Sequence, residues 1–283
     1  MRVAVLGSSG AMGGFFVRYF LSKGARVAGA DARSRTRTRS ARFSFARTNA
    51  EAVAGAEVVL VATPMEKTVE TVEEVAGSLA PGACVVEITS VKGRTLGALS
   101  RLAEAGGFRL LSTHPLFGPS LRSYGGMRIC VVETERGSMA RARALFPDAA
   151  LIPMKREDHD RAMGIVLSLT HLLNIAYAGV VARYMSPGEF RKVQTPTSAV
   201  QLTVAEGVLS QSPALYSLIQ TENEHSSEFA GALIDELTSL RGLIASGDRE
   251  GFGRRFTEIA EGYSGDSQAA LDLVYQAFEK TSG

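Results

Sequence analysis

The sequence predicts an α/β domain built on a doubly wound parallel sheet, followed by a second domain made only of helices. Short apolar runs alternate with helical spacing through the first half of the chain, and no run typical of a strand follows Glu157. Strands that are apolar throughout and separated by helices indicate a parallel sheet covered on both faces. Right-handed crossovers then make the sheet doubly wound. We therefore expect a first domain at residues 1–153 and an all-helical domain at residues 154–283.

The elements follow from the spacing of apolar residues. The predicted strands are Arg2–Leu6, Arg26–Ala30, Val58–Ala62, Cys84–Ile88, Arg109–Ser112 and Arg128–Glu133. Between them, helices are predicted at Phe15–Ser22, Thr68–Leu79 and Leu96–Glu104. The helices of the second domain are longer, near residues 158–184, 199–209, 214–245 and 249–280, with proline and glycine between them.

The composition is that of an ordinary soluble globular protein. Hydrophobic residues make up 45% of the 283 residues, charged residues 21%, and the formal net charge is +2. This balance gives no reason to expect a nucleic acid or an anionic membrane surface as partner. A run of arginines, which we interpret as a solvated loop, consists of Arg33, Arg35, Arg37, Arg39 and Arg42.

Cysteine usage and the N-terminus favour a cytoplasmic protein. Cys84 and Cys130 lie far apart in apolar runs, which gives neither a disulfide framework nor a metal-ligand spacing. We therefore expect no metal site. Met1 leads almost directly into a strand, so we expect no signal peptide. Residues 164–182 are apolar enough to require a membrane check, but five polar side chains interrupt them. We predict a helix buried inside the protein beside a polar site, and no membrane span.

The turn at residues 7–14, GSSGAMGG, joins the first strand to a helix. Glycines there let the backbone turn sharply and approach a pyrophosphate, while the helix N-terminus offers free N–H groups. The common fingerprint is G-x-G-x-x-G, but here the position two before Gly10 is Ser8, so the spacing is G-x-x-G-x-x-G. The residues expected to contact the dinucleotide are Gly7, Ser9, Gly10, Ala11, Met12 and Gly13.

The second predicted strand ends at Asp31, where a carboxylate binds the ribose hydroxyls of NAD and repels a 2′-phosphate. Arg33 and Arg35 follow closely and are suited to accept that phosphate, so NADP stays open while NAD is favoured. Thr63 and Pro64, directly after the third strand, are also expected at the cofactor.

Four further segments carry a family resemblance. They are residues 87–92 (EITSVK), residues 112–120 (STHPLFGPS), the stretch from His159 to His171, and the stretch from Thr195 to Tyr216. With the glycine turn, their order and spacing resemble the prephenate and arogenate dehydrogenases over most of the chain. The resemblance implies a Rossmann domain, a helical dimerisation domain and an active site in the cleft between them. It also implies a homodimer that oxidatively decarboxylates prephenate to 4-hydroxyphenylpyruvate with NAD, in tyrosine biosynthesis.

The chemistry needs one base for a ring hydroxyl proton, and a neutral histidine suffices. His114 follows a strand at the sheet edge where ligands bind, and the resemblance places the catalytic histidine there. The resemblance also makes Ser90 the serine that bonds the same hydroxyl and steadies the histidine. Lys92 is interpreted either as a cofactor contact or as a solvated side chain. His159 with Asp160 is interpreted either as a helix cap with a surface ion partner or as part of the site.

For the substrate, the resemblance implies contacts from His171 and from Ser168, which lies nearly on the same helix face. The family's arginine for the ring carboxylate is expected where this sequence has Ala199, and a methyl group cannot pair with a carboxylate. Either Arg191 or Lys192 replaces that arginine, or Gln201 does so weakly, or the substrate differs.

Three alternatives remain. The first is arogenate dehydrogenase, which no residue separates from the prephenate enzyme. The second is a two-domain hydroxyacid or imine reductase, which usually relies on a lysine in the interdomain helix; residues 160–182 contain none. The third is a nucleotide-sensing homologue without catalysis, which Ala199 keeps open and which Ser90, His114 and His171 oppose. A homodimer is expected because the apolar helices of the second domain exceed what one chain can bury.

Overall fold

The computed structural model describes residues 1–32, 38–263 and 267–281. The chain forms two compact units, Met1–Met163 and Gly164–Gly283. The first unit continues beyond the boundary that we placed after Pro153, and it takes in one more strand residue and a short helix. Each unit is described by itself below.

The first unit is built on an eight-stranded sheet. Its strands are β1 (Arg2–Leu6), β2 (Arg26–Ala30), β3 (Phe43–Phe45), β4 (Val58–Val61), β5 (Cys84–Glu87), β6 (Arg109–Pro115), β7 (Arg128–Val132) and β8 (Ala150–Met154). Their order is β3-β2-β1-β4-β5-β6-β7-β8, and every pair is parallel except β6 with β7. The strand order reverses between β1 and β4, which is the switch point of a doubly wound sheet. The predicted fold class is confirmed; the antiparallel pairing of β7 and the strands β3 and β8 were not foreseen.

Helices cover both faces of this sheet. They are α1 (Ala11–Ser22), α2 (Asn49–Val53), α3 (Thr68–Val75), α4 (Gly93–Gly106), α5 (Ser138–Leu145) and α6 (Arg156–Met163). Because side chains alternate along a strand, Val3 and Val5 belong to one core and Ala4 and Leu6 to the other. The first core is rich in aromatic rings from α1, and the second is aliphatic. Both cysteines are buried free thiols, as predicted.

The second unit contains helices and, within its described residues, no strand, which confirms the prediction for this half. Its elements are a π-helical segment (Gly164–Leu169), α7 (Thr170–Tyr184), α8 (Pro187–Val193), α9 (Pro196–Leu209), α10 (Pro213–Glu222), α11 (Ser226–Ser246), α12 (Arg249–Glu261) and α13 (Ser267–Thr281). Pro187, Pro196 and Pro213, which we took as breaks, are each the first residue of a helix. Proline suits this position because its missing N–H has no intrahelical partner there. The unforeseen helix α8 therefore begins at a proline, whereas the sequence analysis used prolines only as breaks between helices.

The helical stretch Arg156–Tyr184 does not have the burial that we predicted. Among the described residues it is long and apolar enough to cross a membrane by length and composition, which is weak evidence because core helices pass the same test. In the isolated chain its exposed large apolar side chains are Ile165, Val166, Leu173, Ile175, Val180 and Tyr184. The helix that we predicted to be buried inside the protein is therefore mostly exposed in the isolated chain. Such an exposed apolar face requires another covering surface.

Candidate active site

The glycine turn closes tightly over the switch point of the sheet. Gly7 follows β1 with φ of +80°, and a Cβ on it would lie 2.6 Å from the carbonyl oxygen of Ala62, after β4. A Cβ on Gly13, in α1, would lie 2.0 Å from the carbonyl oxygen of Gly7. Only glycine fits either position without moving backbone atoms. The turn therefore brings the start of α1 against the carboxyl ends of β1 and β4, where doubly wound sheets bind ligands.

The start of α1 is open to a ligand. Gly10 is its N-cap residue and, within the described part of the chain, no side chain caps the first helical N–H groups, which suit an anion such as a pyrophosphate. Ala11 is exposed and Met12 is half-buried beside it. The backbone N–H of Ser9 donates to Asp31 Oδ2 at 3.1 Å, which joins the turn to the end of β2.

Other residues expected at the cofactor lie at the same sheet edge. Thr63 is half-buried and Pro64 is exposed directly after β4. Arg33 and Arg35 lie outside the described residues, so the structure does not address their expected contact with a 2′-phosphate. Together with the glycine turn and Asp31, these positions fit the pyrophosphate and ribose of a dinucleotide.

Ser8, which departs from the common glycine fingerprint, does not obstruct the proposed dinucleotide site at the glycine turn. Its side chain is fully buried, and its Oγ has no hydrogen-bond partner within the described part of the chain. A Cβ on Gly29 of β2 would lie 2.6 Å from that oxygen. The side chain is thus accommodated against β2, in space that Gly29 leaves free, and the fit to a dinucleotide is kept.

His114 lies at the carboxyl end of β6, past the last residue pair with β5, Glu87 with Ser112. The residue is 4% exposed, and its Nδ1 lies 3.1 Å from Nε2 of the fully buried His159, on α6. Nδ1 of His159 lies 2.7 Å from Oδ1 of Asp160. The structure therefore forms a chain of three side chains, His114, His159 and Asp160, which the sequence did not predict.

The Asp160 carboxylate is anchored on the start of α4. Its Oδ1 accepts the backbone N–H of Lys92 at 2.9 Å, and its Oδ2 accepts that of Gly93 at 2.7 Å. Asp160 and His159 are thus buried, and the interpretation as a surface ion partner is wrong. The signal that pointed to them was the family resemblance of the His-Asp pair, not its spacing.

Ser90 lies half-buried in the loop after β5. Among the described residues, no hydrogen bond joins it to His114, whose ring partner is His159. The expectation that Ser90 steadies the histidine therefore finds no contact in this structure, while its expected contact with the substrate hydroxyl remains a prediction.

Lys92 has a different role from the one that we expected. It is 1% exposed, and its Nζ donates to Glu87 Oε1 at 2.6 Å, to the Thr89 carbonyl at 2.9 Å and to the Thr113 carbonyl at 2.8 Å. These bonds use all three ammonium protons. Lys92 is therefore neither solvated nor available to a cofactor, and it ties the loop after β5 to the end of β6 beside His114.

Glu87, the partner of Lys92, was missed by the sequence analysis. Its carboxylate also accepts the Ser112 hydroxyl and the Thr89 hydroxyl and N–H, the last two at 2.7 and 2.8 Å. Every member of this buried network is satisfied, as a buried ion pair requires. The available signal was a glutamate inside the apolar run CVVEI.

The two ends of the chain from His114 to Asp160 differ in charge, because burial and neighbouring groups shift their pKa values in different ways. Burial lowers the pKa of His114 well below its ordinary value, and the charge of the Lys92 ammonium adds to this, while Asp160 acts in the opposite sense. For Asp160, burial raises the pKa, but hydrogen bonds from His159 and from the amides of Lys92 and Gly93 outweigh burial and lower it. His114 is thus a neutral base and Asp160 a carboxylate at neutral pH.

In the helical unit, two of the predicted substrate residues lie one turn apart. Ser168 is buried in the π-helical segment, where its Oγ accepts from Ser226 at 2.8 Å and its carbonyl accepts from Gln220 at 2.8 Å. His171 is half-buried, with its ring edge-on to Tyr216 at 4.3 Å between centroids. Its Nδ1 has no hydrogen-bond partner among the described residues. Segments of π-helix are frequent at functional sites, and this one carries Ser168.

Two of the three candidates to replace the missing arginine, Arg191 and Gln201, are already engaged. Arg191 forms a surface ion pair with Glu206, and Gln201 Nε2 donates to Asn174 Oδ1 at 2.9 Å. Ala199 is 3% exposed on α9, so nothing charged stands at that position. The structure therefore offers no ready substitute at Arg191 or Gln201 in the conformation described.

A doubly wound sheet with a dinucleotide turn at its switch point, and a neutral buried histidine at the same edge, defines a dinucleotide-dependent oxidoreductase. Residues 18–127 match the nucleotide-binding domain of prephenate dehydrogenase, and residues 155–258 match its dimerization domain. The chain belongs to the prephenate dehydrogenase family, a family of NAD-dependent oxidoreductases, and the predicted family is confirmed. The glycine turn precedes the matched residues.

Relatives of known name are similar over nearly the whole chain. A probable arogenate/prephenate dehydrogenase of Methanocaldococcus jannaschii is 26% identical over 95% of this chain, which spans 62% of that protein. The 4-amino-4-deoxyprephenate dehydrogenase of Streptomyces pristinaespiralis is 29% identical over 96% of this chain and 94% of its own length. A solved prephenate dehydrogenase of Aquifex aeolicus, in complex with hydroxyphenyl propionate and NAD+, has a TM-score of 0.73 at 18% identity. The alignment covers 93% of this chain and 97% of that one, and it shows the shared fold.

Proposed function

We propose that this chain oxidatively decarboxylates prephenate to 4-hydroxyphenylpyruvate with NAD, in tyrosine biosynthesis. The observation that carries the proposal is the setting of His114. Its ring is neutral, its Nδ1 faces His159 at 3.1 Å, and it ends a strand at the sheet edge that carries the dinucleotide turn. Nε2 is then the nitrogen left for a substrate hydroxyl. Membership of the prephenate dehydrogenase family supports the same reaction.

The reaction asks little of the protein beyond positioning and one base. Carbon 4 of prephenate carries a hydrogen and a hydroxyl group, and NAD, when bound, supplies the acceptor for the hydride that leaves this carbon. The O–H bond breaks as the carbonyl forms, and the proton goes to Nε2 of His114. Carbon dioxide then leaves from the opposite ring carbon, its bonding electron pair enters the ring, and the oxygen takes a proton back. Aromatisation drives this second step, so no further acid or base is required of the chain.

The cofactor proposal rests on the turn and on Asp31. The pyrophosphate would lie at the N-terminus of α1, between Gly7 and Gly13, and the ribose hydroxyls would bind Asp31. NAD is favoured over NADP because a carboxylate repels a 2′-phosphate. Asp31→Ala should therefore lower the ratio of kcat/KM with NAD to that with NADP; a wild type that already prefers NADP would contradict this assignment.

A second substrate is favoured by one observation: the Streptomyces pristinaespiralis relative, 29% identical to this chain, is named for 4-amino-4-deoxyprephenate. That compound carries an amino group in place of the ring hydroxyl, and a neutral His114 can accept a proton from either. Arogenate remains the third candidate, with Ser168 and His171 as proposed substrate contacts.

Turnover assays separate these candidates. Purified protein should be assayed with prephenate, arogenate and 4-amino-4-deoxyprephenate, each with NAD and with NADP. His114→Asn should lower kcat on the best substrate by about 10²- to 10⁴-fold while substrate binding changes little. His225→Asn, a change in the helical unit outside the proposed site, is the control. Wild-type kcat in His114→Asn, or no turnover of any substrate by the wild type, would overturn the proposal.

We also propose that the chain acts as a cytoplasmic homodimer. The exposed apolar side chains of α7 and the match of residues 155–258 to a dimerization domain support this. Sedimentation should show twice the chain mass of 30.1 kDa, and Val180→Glu, on the exposed face of α7, should shift the protein towards monomer. A stable wild-type monomer at micromolar concentration, or solubility only in detergent, would contradict the proposal.

A further inference from the structure

We propose that His159 and Asp160 are positioning residues that hold His114 in the tautomer able to act as a base, and that His159 takes up the proton that His114 releases from its other nitrogen. This inference rests on the proposed function of His114 as base. It is carried by the hydrogen-bonded chain from His114 Nδ1 to His159 Nε2 at 3.1 Å, and from His159 Nδ1 to Asp160 Oδ1 at 2.7 Å.

The direction of each hydrogen bond follows from the Asp160 end. A carboxylate only accepts hydrogen bonds, so the proton between Asp160 and His159 must sit on Nδ1 of His159. The proposal assigns the neutral imidazole to His159 in the resting chain, so its Nε2, 3.1 Å from His114 Nδ1, carries a lone pair. That lone pair can only accept, which places a proton on Nδ1 of His114. Nε2 of His114 is then unprotonated and ready to take a proton.

Proton uptake can spread along the same chain. When Nε2 of His114 gains the substrate proton, the Nδ1–H of His114 lies in line with the lone pair of His159. Transfer of that proton breaks the N–H bond on His114 and forms one on His159, so His114 returns to neutral and the charge rests beside the Asp160 carboxylate. This matters because burial and the nearby Lys92 ammonium both disfavour a charge on His114. When the oxygen takes a proton back, the same two transfers run in reverse.

The charged groups around the chain fit this assignment. From the loop between β5 and α4, the Lys92 ammonium is paired with Glu87 of β5. From β7, Cys130 stands opposite His114 and is a neutral thiol, since burial raises its pKa to about 11. On α6 itself the carboxylate that faces the histidines is Asp160. The negative charge that an imidazolium needs therefore lies at the His159 end.

Asp160→Asn tests the assignment because it reverses the chain. Asp160 Oδ2 accepts both the Gly93 N–H at 2.7 Å and the Lys92 N–H at 3.2 Å, so the amide oxygen of asparagine should take that place. Its NH₂ group then faces His159 and donates to Nδ1. His159 must carry its proton on Nε2 and donate to His114, which leaves His114 protonated on Nε2 and blocked as a base.

The first measurement needs no substrate or cofactor. With four histidines in the chain, ¹⁵N-labelled histidine gives ring signals that His114→Asn and His159→Gln can assign. The free wild-type protein should show His114 and His159 both protonated on Nδ1, and Asp160→Asn should show both protonated on Nε2. A wild type with His114 protonated on Nε2, or an Asp160→Asn protein with unchanged tautomers, would overturn the proposal even if the enzyme is active.

The second measurement is the split between kcat and KM on the best substrate. Asp160→Asn should lower kcat by about 10²- to 10⁴-fold, the range of a lost general base, with KM nearly unchanged. His159→Gln should lower kcat less, because its side-chain oxygen can still accept from His114 Nδ1 but cannot take the proton. His159→Gln also tests the positioning role if Asp160→Asn does not fold. His225→Gln is the matched control.

The measurements distinguish a failure of the proposed function from a failure of the positioning role of His159 and Asp160. A wild type without turnover on any substrate contradicts the proposed function, whereas the tautomers are still measured. A wild type with turnover whose kcat survives both Asp160→Asn and His159→Gln contradicts the positioning role alone.

Discussion

Lys92→Met should destabilise the first unit strongly, because it leaves the Glu87 carboxylate buried without its counter-charge. Both side chains are essentially inaccessible to solvent, and methionine nearly fills the volume of lysine, so the loss is electrostatic rather than a cavity. Removing one partner of a buried ion pair costs about 3–5 kcal/mol. The carbonyls of Thr89 and Thr113 lose their donor as well, at about 1–3 kcal/mol for each that water cannot reach. We therefore expect a loss of at least about 3 kcal/mol in urea unfolding followed by circular dichroism.

Two variants show whether the charge is the cause. Glu87→Gln combined with Lys92→Met removes both charges, so it should be more stable than Lys92→Met alone. Lys67→Met breaks the exposed pair of Lys67 with Glu70, whose charged atoms are 2.7 Å apart, and should change stability little because water screens that pair. The reasoning is refuted if Lys92→Met is as stable as Lys67→Met, or if the double variant is no more stable than Lys92→Met.

Two further predictions concern the glycine turn and the loss of folding stability at acid pH. Gly13→Ala should weaken NAD binding and cost about 1–3 kcal/mol or more, because its Cβ would lie 2.0 Å from the Gly7 carbonyl. In Gly14→Ala the added Cβ would have its nearest contact at 3.5 Å, so NAD binding and folding stability should both stay near those of the wild type. Equal NAD affinity of the two variants in calorimetric titration would contradict this prediction. Folding stability should fall as the pH drops below about 6.5, by up to about 1.4 kcal/mol per pH unit, because His114 resists protonation when folded and accepts a proton when unfolded. His114→Asn should flatten this slope, and an unchanged slope would count against a neutral buried His114.

Much of the sheet was predictable, because each parallel strand is an unbroken apolar run. β3 was not, since Phe43–Phe45 is too short to show a period. β8 was missed because we took Pro153 as the end of the domain. Proline is tolerated on an edge strand, where its absent N–H breaks no ladder, and β8 is the last strand of the sheet. The antiparallel direction of β7 leaves no mark on a sequence that is buried on both faces.

The site was predictable where one segment carries the signal and unpredictable where distant segments meet. His114 and the glycine turn each lie in a local motif. The partner of His114 is 45 residues away, and nothing in the spacing shows that α6 would place His159 against β6. Lys92 was interpreted either as a cofactor contact or as a solvated side chain, and neither interpretation is correct. Its burial depends on Glu87, whose charge inside an apolar strand was the sign that a buried cation would be needed.

The same ion pair also gives a prediction about catalysis. The Lys92 ammonium is one of the charges that lower the pKa of His114, so the neutral double variant, Glu87→Gln with Lys92→Met, should raise that pKa towards the ordinary value. Since neutral His114 is the active form, the acid limb of kcat should move to higher pH in the double variant, while kcat at alkaline pH stays near that of the wild type. The measurement is a pH profile of kcat on the best substrate, with Lys67→Met as the control for a lost surface charge. An acid limb at the wild-type position would mean that burial alone keeps His114 neutral, and that Lys92 acts on the site only through the strand ends that it holds together.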